Sequence, residues 1–236
     1  MDTKLALKIL CVLLLFFGRF CASAQTPANL TANAPYNLFL KEIEKHAVMD
    51  REEFVQKTEG SPFLNEEFTE GEVITERGTF NPLRMRYNVY TDAIQFDLGN
   101  QMLYLDPQPL IKQVKLNGMT FKVKEYPFQS AVRRGFLEEL AVGRYSLYAK
   151  KNISLRKAEP PKALQSEGTP PKLIMLSDTY FLEMPDDELV KVKDLKDVLS
   201  QLDGAEEIKD FIKKEKLSNK KQEDLVRLVN FINANP

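Results

Sequence analysis

Between residues 82 and 106 the chain reads PLRMRYNVYTDAIQFDLGNQMLYLD, and apolar and polar side chains take turns along it. Leu83, Met85, Tyr87 and Val89 fall on one side, and Arg84, Arg86, Asn88 and Tyr90 on the other. A period of two marks a half-buried strand, because successive side chains of an extended backbone point to opposite faces. Thr91-Asp92 turns the chain, AIQFDL resumes the pattern, and Gly99-Asn100 turns it again into MLYLD. EVIT at 72–75 is a short β-branched run ahead of this stretch. After the break at Pro107 and Pro109, IKQVKL and MTFKVKEY flank Asn117-Gly118. Asn-Gly favours the tight type I′ turn of a hairpin. GFLEELAV and RYSLYAKKNISL flank Gly143 and predict a further hairpin. With connections this short and no long helix between them, consecutive strands must lie antiparallel and side by side. Residues 72–156 therefore read as a β-meander.

RKAEPPKALQSEGTPPKL follows, with two Pro-Pro pairs, a glycine and few apolar residues. Helix and ladder hydrogen bonds are both disfavoured there, so 157–172 reads as an exposed loop. LIML, a Ser177-Asp178 turn, TYFLEM, a Pro185-Asp186-Asp187 turn and ELVKV add two or three strands to the same sheet system. From Lys193 the period changes to 3.6. Leu195, Val198, Leu199 and Leu202 share a face, then Ile208, Phe211 and Ile212, then Leu225, Leu228, Val229 and Ile232. Asp203-Gly204 and Leu217-Ser218-Asn219 separate these stripes, which predicts three helices over 193–234 packed on the sheet. Their charges are interspersed, nine basic and nine acidic from residue 193 on, as expected of a solvated outer face. The fold class expected is α+β: an antiparallel β-meander over 60–192, a sandwich or a partly open barrel, followed by a C-terminal three-helix segment.

The other end of the chain has a different pattern. Lys4 and Lys8 precede the apolar run ILCVLLLFFGRF, and Ala22 and Ala24 precede Gln25. A basic start, a short apolar core and small residues before a cut site are the three parts of a signal peptide. The apolar core is too short for a membrane span, which needs about 20 residues. Residues 1–24 are expected to be removed near Ala24-Gln25, leaving the protein in the periplasm, at the outer membrane or outside the cell. Residues 25–33 read as a disordered leader. Residues 34–58, with YNLFLKEIEKHAVMDREEFV, read as a helical segment.

Cleavage alters the chemistry that remains. The two cysteines, Cys11 and Cys21, leave with the signal, so neither a disulfide, a thiolate metal site nor a thiol nucleophile is expected. His46 is the one histidine and lies in the helix-like segment, away from any triad context. Removing three of the 33 basic and one of the 34 acidic residues leaves a net charge of −3. No concentrated basic face is evident in the sequence, so no nucleic-acid partner is expected. The mature chain has no apolar run long enough to span a bilayer.

Carboxylates are the one catalytic class left in quantity. Glu138 and Glu139 are adjacent on a strand and must point to opposite faces, so they cannot flank one substrate. Asp92 sits in a turn, where aspartate serves the backbone. Asp106 precedes a proline at a strand end. No glycine-rich loop opens a helix, and DLGNQMLYLD lacks the clustered ligands of a calcium loop. The sequons at Asn29 and Asn152 matter only in a glycosylating pathway. No cofactor or metal is expected. Arg84, Arg86 and Asn88 are the candidate ligand- or partner-binding residues, because two arginines on one strand face can clamp a carboxylate or phosphate.

GSPFLNEEFTEGEVI leading into PLRMRYNVYTDAIQF, then GFLEELAVGRYSLYAKKNISL, DTYFLEM and the tail EEIKDFIKKEKLSNKKQEDLVRLVNFIN, resembles a group of uncharacterised exported β-rich proteins common in Bacteroidota. The resemblance spans about residues 60–233. Its motifs are structural, so it implies fold and compartment and no catalytic residues.

The function expected is a non-enzymatic binding or interaction protein of the cell envelope, with a protein, lipid or glycan partner. The alternatives are a β-shell carrier of a lipid or other hydrophobic ligand and, further off, a carboxylate-dependent hydrolase. An apolar internal cavity speaks for the carrier; a filled core with an exposed patch speaks for the interaction protein.

Overall fold

Among the described residues ten strands and three helices follow one another, and the alternation seen in the sequence accounts for most of them. The computed structural model describes residues 58–99, 102–161, 168–202, 206–219 and 221–235. The segments read from the sequence as a signal peptide (1–24) and a leader (25–33), His46 and, except for Thr58, the 34–58 segment lie outside the described residues. Everything described belongs to one compact unit, Leu38–Pro236.

The strands are β1 (Thr69–Thr75), β2 (Gly78–Asn88), β3 (Ala93–Asp97), β4 (Met102–Leu105), β5 (Ile111–Leu116), β6 (Met119–Phe128), β7 (Ala131–Ala141), β8 (Ser146–Arg156), β9 (Lys172–Glu183) and β10 (Leu189–Val192). They form a single open antiparallel sheet in the order β10-β9-β8-β7-β6-β5-β1-β2-β3-β4. The expected meander is thus two meanders, β1–β4 and β5–β10, joined where β1 pairs with β5. Pro107 and Pro109 deny a tight hairpin after β4, and the chain crosses to the far side of β1 instead.

Asn117 and Gly118 both have positive φ, 53° and 75°, as a type I′ turn requires, and Leu116 pairs with Met119 across it. Two features depart from the expected pattern. Ser177-Asp178 is no turn but a bulge within the continuous β9: Lys150 pairs with Thr179 and Asn152 with Leu176, so two residues oppose one. The Asn152 amide fastens it, donating to Ser177 O, Thr179 Oγ1 and Lys150 O. Further, β7 starts at Ala131, paired through a turn at Gln129 with the end of β6. Between β8 and β9 the described residues 157–161 and 168–170 are exposed, and Glu159 and Thr169 exchange two backbone hydrogen bonds.

The half of the sheet from β6 to β10 curls. One buried cluster takes Tyr126 from β6, Leu137 from β7, Tyr148 from β8, Phe181 from β9 and Leu189 from β10. Five flat strands span about 19 Å, too wide for five side chains to meet, and β10 lies back against β6. The opposite face of the same strands carries Leu147 and Leu182, which alternate with Tyr148 and Phe181. A bulge at Leu140 swings Ala141 onto that outer face. A second core grows on it from the helices α1 (Leu195–Leu199), α2 (Glu206–Lys214) and α3 (Gln222–Ala234). Leu195, Val198, Leu225, Leu228, Val229 and Ile232 bury there, and Phe211 stacks on Phe231 at 3.9 Å between ring centroids. Asp194 caps α1 by accepting the N–H groups of Lys196 and Asp197 at 2.9 and 3.1 Å. Among the described residues no helix is long and apolar enough to cross a membrane.

The end of α3 is fastened to the turn between β7 and β8. Asn233 accepts from Tyr145 N at 2.9 Å and donates to Tyr145 O at 2.8 Å. Gly143 allows this approach, because a side chain there would run into the Asn233 amide. Asn233→Ala is expected to lower the unfolding free energy by about 1–3 kcal/mol, since it strands two backbone groups. Urea denaturation checks this, and an unchanged midpoint would show that the clasp contributes nothing.

Candidate functional site

Strand parity dictates what faces the inside of the curl. On each strand the residue two places from a core residue lies on the same face, one step nearer the open end. On β8 that series is Tyr148, Lys150, Asn152; on β9 it is Phe181, Thr179; on β10 it is Leu189, Lys191, with Lys193 just past the strand end; on β6 it is Tyr126, Phe128; on β7 it is Leu137, Gly135, Arg133. An apolar floor therefore passes into a polar, cationic mouth. A cavity of about 550 Å³ opens there, lined by Phe128, Lys150, Asn152, Thr179, Lys191 and Lys193 among others, with no acidic side chain in its lining. Neighbouring cavities of about 620 and 520 Å³ share Thr179, Lys191 and Lys193 on one side and Phe128, Lys150 and Asn152 on the other.

Lys150 is buried, and its ammonium is fully used within the fold. It donates to Asp92 Oδ1 at 2.6 Å, to Tyr87 Oη at 2.9 Å and to Phe136 O at 3.3 Å. Tyr87 in turn donates to Asp92 Oδ1 at 2.6 Å and packs its ring against Phe121 and Phe136, with centroids 5.1 and 6.1 Å away. Burial pushes the Lys150 pKa down, and Asp92 opposes that shift. Burial, reinforced by Asp92, pushes the Tyr87 phenol well up, so it remains a donor. Asp92 has φ 54°, which lets it project from the β2–β3 turn toward β7. It enters where Gly135 lacks a side chain: a Cβ there would lie 2.5 Å from Asp92 Oδ2. One carboxylate thus ties the first meander to the curl.

The next residue, Lys151, faces the other way and sits between Glu138 and Asp178, 2.7 Å from an oxygen of each. Burial works against its charge, but the hydrogen bonds that its ammonium donates to Asp178 and Glu138 prevail and raise its pKa. Glu139 lies on the opposite face, 3.7 Å from Lys122. Glu183 is paired with Lys124 and accepts from Tyr148 Oη at 2.9 Å.

Lys191 and Lys193 differ from these lysines. Both are exposed at the mouth, and among the described residues neither ammonium meets a carboxylate. Thr179 beside them accepts from the Asn152 amide at 3.0 Å, which leaves its hydroxyl proton free to donate outward. The Arg133 guanidinium lies over the Phe128 ring, 3.8 Å from its centroid. Next to the mouth, Ile174, Met175 and Leu176 of β9 expose 37, 43 and 51% of their surface.

The three residues singled out in the sequence sit elsewhere, on β2. Arg84 and Arg86 share a face but turn to different partners. Arg84 lies 3.5 Å from Asp97. The Arg86 guanidinium lies between Phe63 and Phe68, at 3.5 and 4.3 Å from the ring centroids. It also donates to Gln95 Oε1 and Glu66 O at 2.7 and 2.8 Å. Asn88 is buried and accepts from Thr91 N at 3.0 Å, closing the turn that carries Asp92. Asp106, also considered in the sequence, borders the Asp92 side of the mouth. Lys150, Lys191 and Lys193 were missed as a group, although one signal was there: Lys150 keeps parity with Tyr148 in RYSLYAKKNISL, a lysine at a core position. Among the described residues no three His, Cys, Asp or Glu side chains are placed to hold a metal ion. Comparison with family models, curated proteins and solved structures finds no match for this chain.

Proposed function

We propose that this is an exported, non-enzymatic binding protein of the cell envelope, and that the basic mouth of the curled sheet is its binding surface. The observation that carries the reading is the pair Lys191 and Lys193, which among the described residues meet no carboxylate; one cavity they line has no acidic side chain, and the adjoining one adds only Asp178, which Lys151 holds. Elsewhere on these strands the fold neutralises its lysines: Lys150 with Asp92, Lys151 with Glu138 and Asp178, Lys124 with Glu183. The same pairings engage carboxylates that a hydrolase would use, which favours binding over catalysis. Five side chains fill the inner layer, and apolar residues of β9 are exposed next to the mouth, which favours an interaction surface over a carrier of hydrophobic ligands. Export rests on the basic, apolar and small-residue order of residues 1–24.

Native protein recovered from the envelope fraction is expected to lack residues 1–24 by mass spectrometry and to bring a bound component with it. Lys191→Glu/Lys193→Glu is expected to lose that component while keeping the wild-type circular dichroism spectrum. Recovery from the cytosol with the leader intact would refute export. A wild-type protein that elutes alone would refute the binding reading.

A further inference from the structure

We propose that the mouth is an oxyanion site for a phosphate monoester, with Lys191 and Lys193 as its two charges and the Thr179 hydroxyl as a neutral donor between them. This rests on the mouth being the binding surface, and it adds the chemical class of what binds there. Lys191 lies on β10 and Lys193 just past its end, and both line the same cavity. Their long flexible stems allow both ammonium groups to converge on a single group. The pairing of Val192 with Tyr180 brings Lys193 alongside Thr179, and both line the same cavity.

Lysine presents a compact point charge rather than the planar fork with which arginine matches carboxylates. Two such charges select for charge density, which a doubly ionised tetrahedral phosphate has and a carboxylate lacks. Arg133, which lines the neighbouring cavity, holds its guanidinium over the Phe128 ring. The acids closest in sequence or space do not compete for the jaws. Asp178 is held by Lys151, and Asp194 by the N–H groups that start α1 and by Asn219. Asp197 accepts the backbone N–H of Lys193 at 2.9 Å. The remaining cation, Lys150, is neutralised by Asp92 and adds little field of its own. At the apolar side of the cavity, Phe128, Phe181 and Tyr126 offer a surface for the carbon skeleton that carries the phosphate.

The test is calorimetric titration of the full chain with phenyl phosphate, with phenyl sulfate, and with phosphatidylcholine vesicles containing or lacking phosphatidate. Phenyl phosphate is expected to bind more tightly as pH rises from about 5.5 to about 7.5, following the second ionisation of the phosphate near about 6. Phenyl sulfate, a single charge of the same shape, is expected to bind more weakly and without that pH dependence. Lys191→Gln/Lys193→Gln is expected to weaken phenyl phosphate by about ten-fold or more. Lys112→Gln/Lys157→Gln removes the same charge from exposed positions elsewhere and is expected to change little.

Binding to phosphatidate vesicles well beyond phenyl phosphate would assign the group to a lipid headgroup; binding of phenyl phosphate alone would assign it to a soluble ester. No binding of either probe at millimolar concentration overturns the inference, as does binding that survives Lys191→Gln/Lys193→Gln or falls equally with the control pair. If the envelope component is still captured through the mouth in that case, the phosphate class fails and the binding reading stands. If no component is captured either, both fail.

Discussion

Asp92→Asn is expected to destabilise the fold by about 3–5 kcal/mol at neutral pH, the usual cost of leaving one member of a buried ion pair alone. The replacement keeps the shape but removes the charge. It leaves the Lys150 ammonium, whose side chain is 9% exposed, facing a neutral amide. The pH dependence gives a sharper check. Burial already holds the Lys150 pKa below 10.5, and Asp92 is what resists further depression. Without Asp92 the depression deepens while the unfolded chain keeps the ordinary value. Between the two pKa values the unfolded chain binds more protons, so stability rises with pH in that window. The deficit of Asp92→Asn relative to wild type is therefore largest near neutrality and narrows toward about pH 10, as folded Lys150 sheds its proton. The raised Tyr87 pKa has the opposite sign, but it acts only above about pH 10. Urea midpoints of both proteins across this range decide the matter. A deficit that stays constant or widens would mean that Lys150 is not the group left uncompensated.

Gly135→Ala tests the same contact from the other side. The added methyl would lie 2.5 Å from Asp92 Oδ2 and 3.0 Å from Tyr126 Cε1. Neither neighbour yields readily: Asp92 is held by Lys150 and Tyr87, and the Tyr126 ring packs against Phe181 at 5.2 Å between centroids. Overpacking of this kind costs about 1–3 kcal/mol, against which alanine has a slightly better strand propensity than glycine. In an Asp92→Ala background the obstacle is gone, so the penalty of Gly135→Ala is expected to fall to under about 1 kcal/mol. Equal penalties in the two backgrounds would place the strain at Tyr126 alone.

Much of the architecture was legible because it follows from period. The alternation of Leu83, Met85 and Tyr87 placed β2, and Asn117-Gly118 placed the β5–β6 turn. The stripes at 195–202, 208–212 and 225–232 placed the three helices. Strand order was not legible, because nothing in a five-residue connection such as 106–110 states whether the chain turns back or crosses to a strand formed earlier. Ser177-Asp178 has the composition of a turn, and its role as a bulge depends on an amide 25 residues away, at Asn152. The site was harder still. Arg84 and Arg86 stood out because arginines are conspicuous on an alternating strand, yet the curl that makes a cavity lies in other strands. Nothing in ELVKV marks Lys191 or Lys193, because the packing of β10 against β6 is not written in the local sequence. Asp92 read as a turn residue, which it is; its partner lies 58 residues on.

The pairing of β1 with β5 also governs how such a sheet can be assembled. Every other neighbour in the ladder is a neighbour in sequence, so each meander can zip from its own hairpins. The seam between β1 and β5 closes a loop that contains three finished strands, and closing long loops is the entropically slow part of β-protein folding. Until it closes, each half carries a bare edge with a residue destined to be fully covered, Val73 on one and Val114 on the other. A chain arrested at that stage presents the kind of unprotected strand that recruits other chains. In the finished molecule that line lies mid-sheet, its two backbones paired with each other and no longer open to a neighbour.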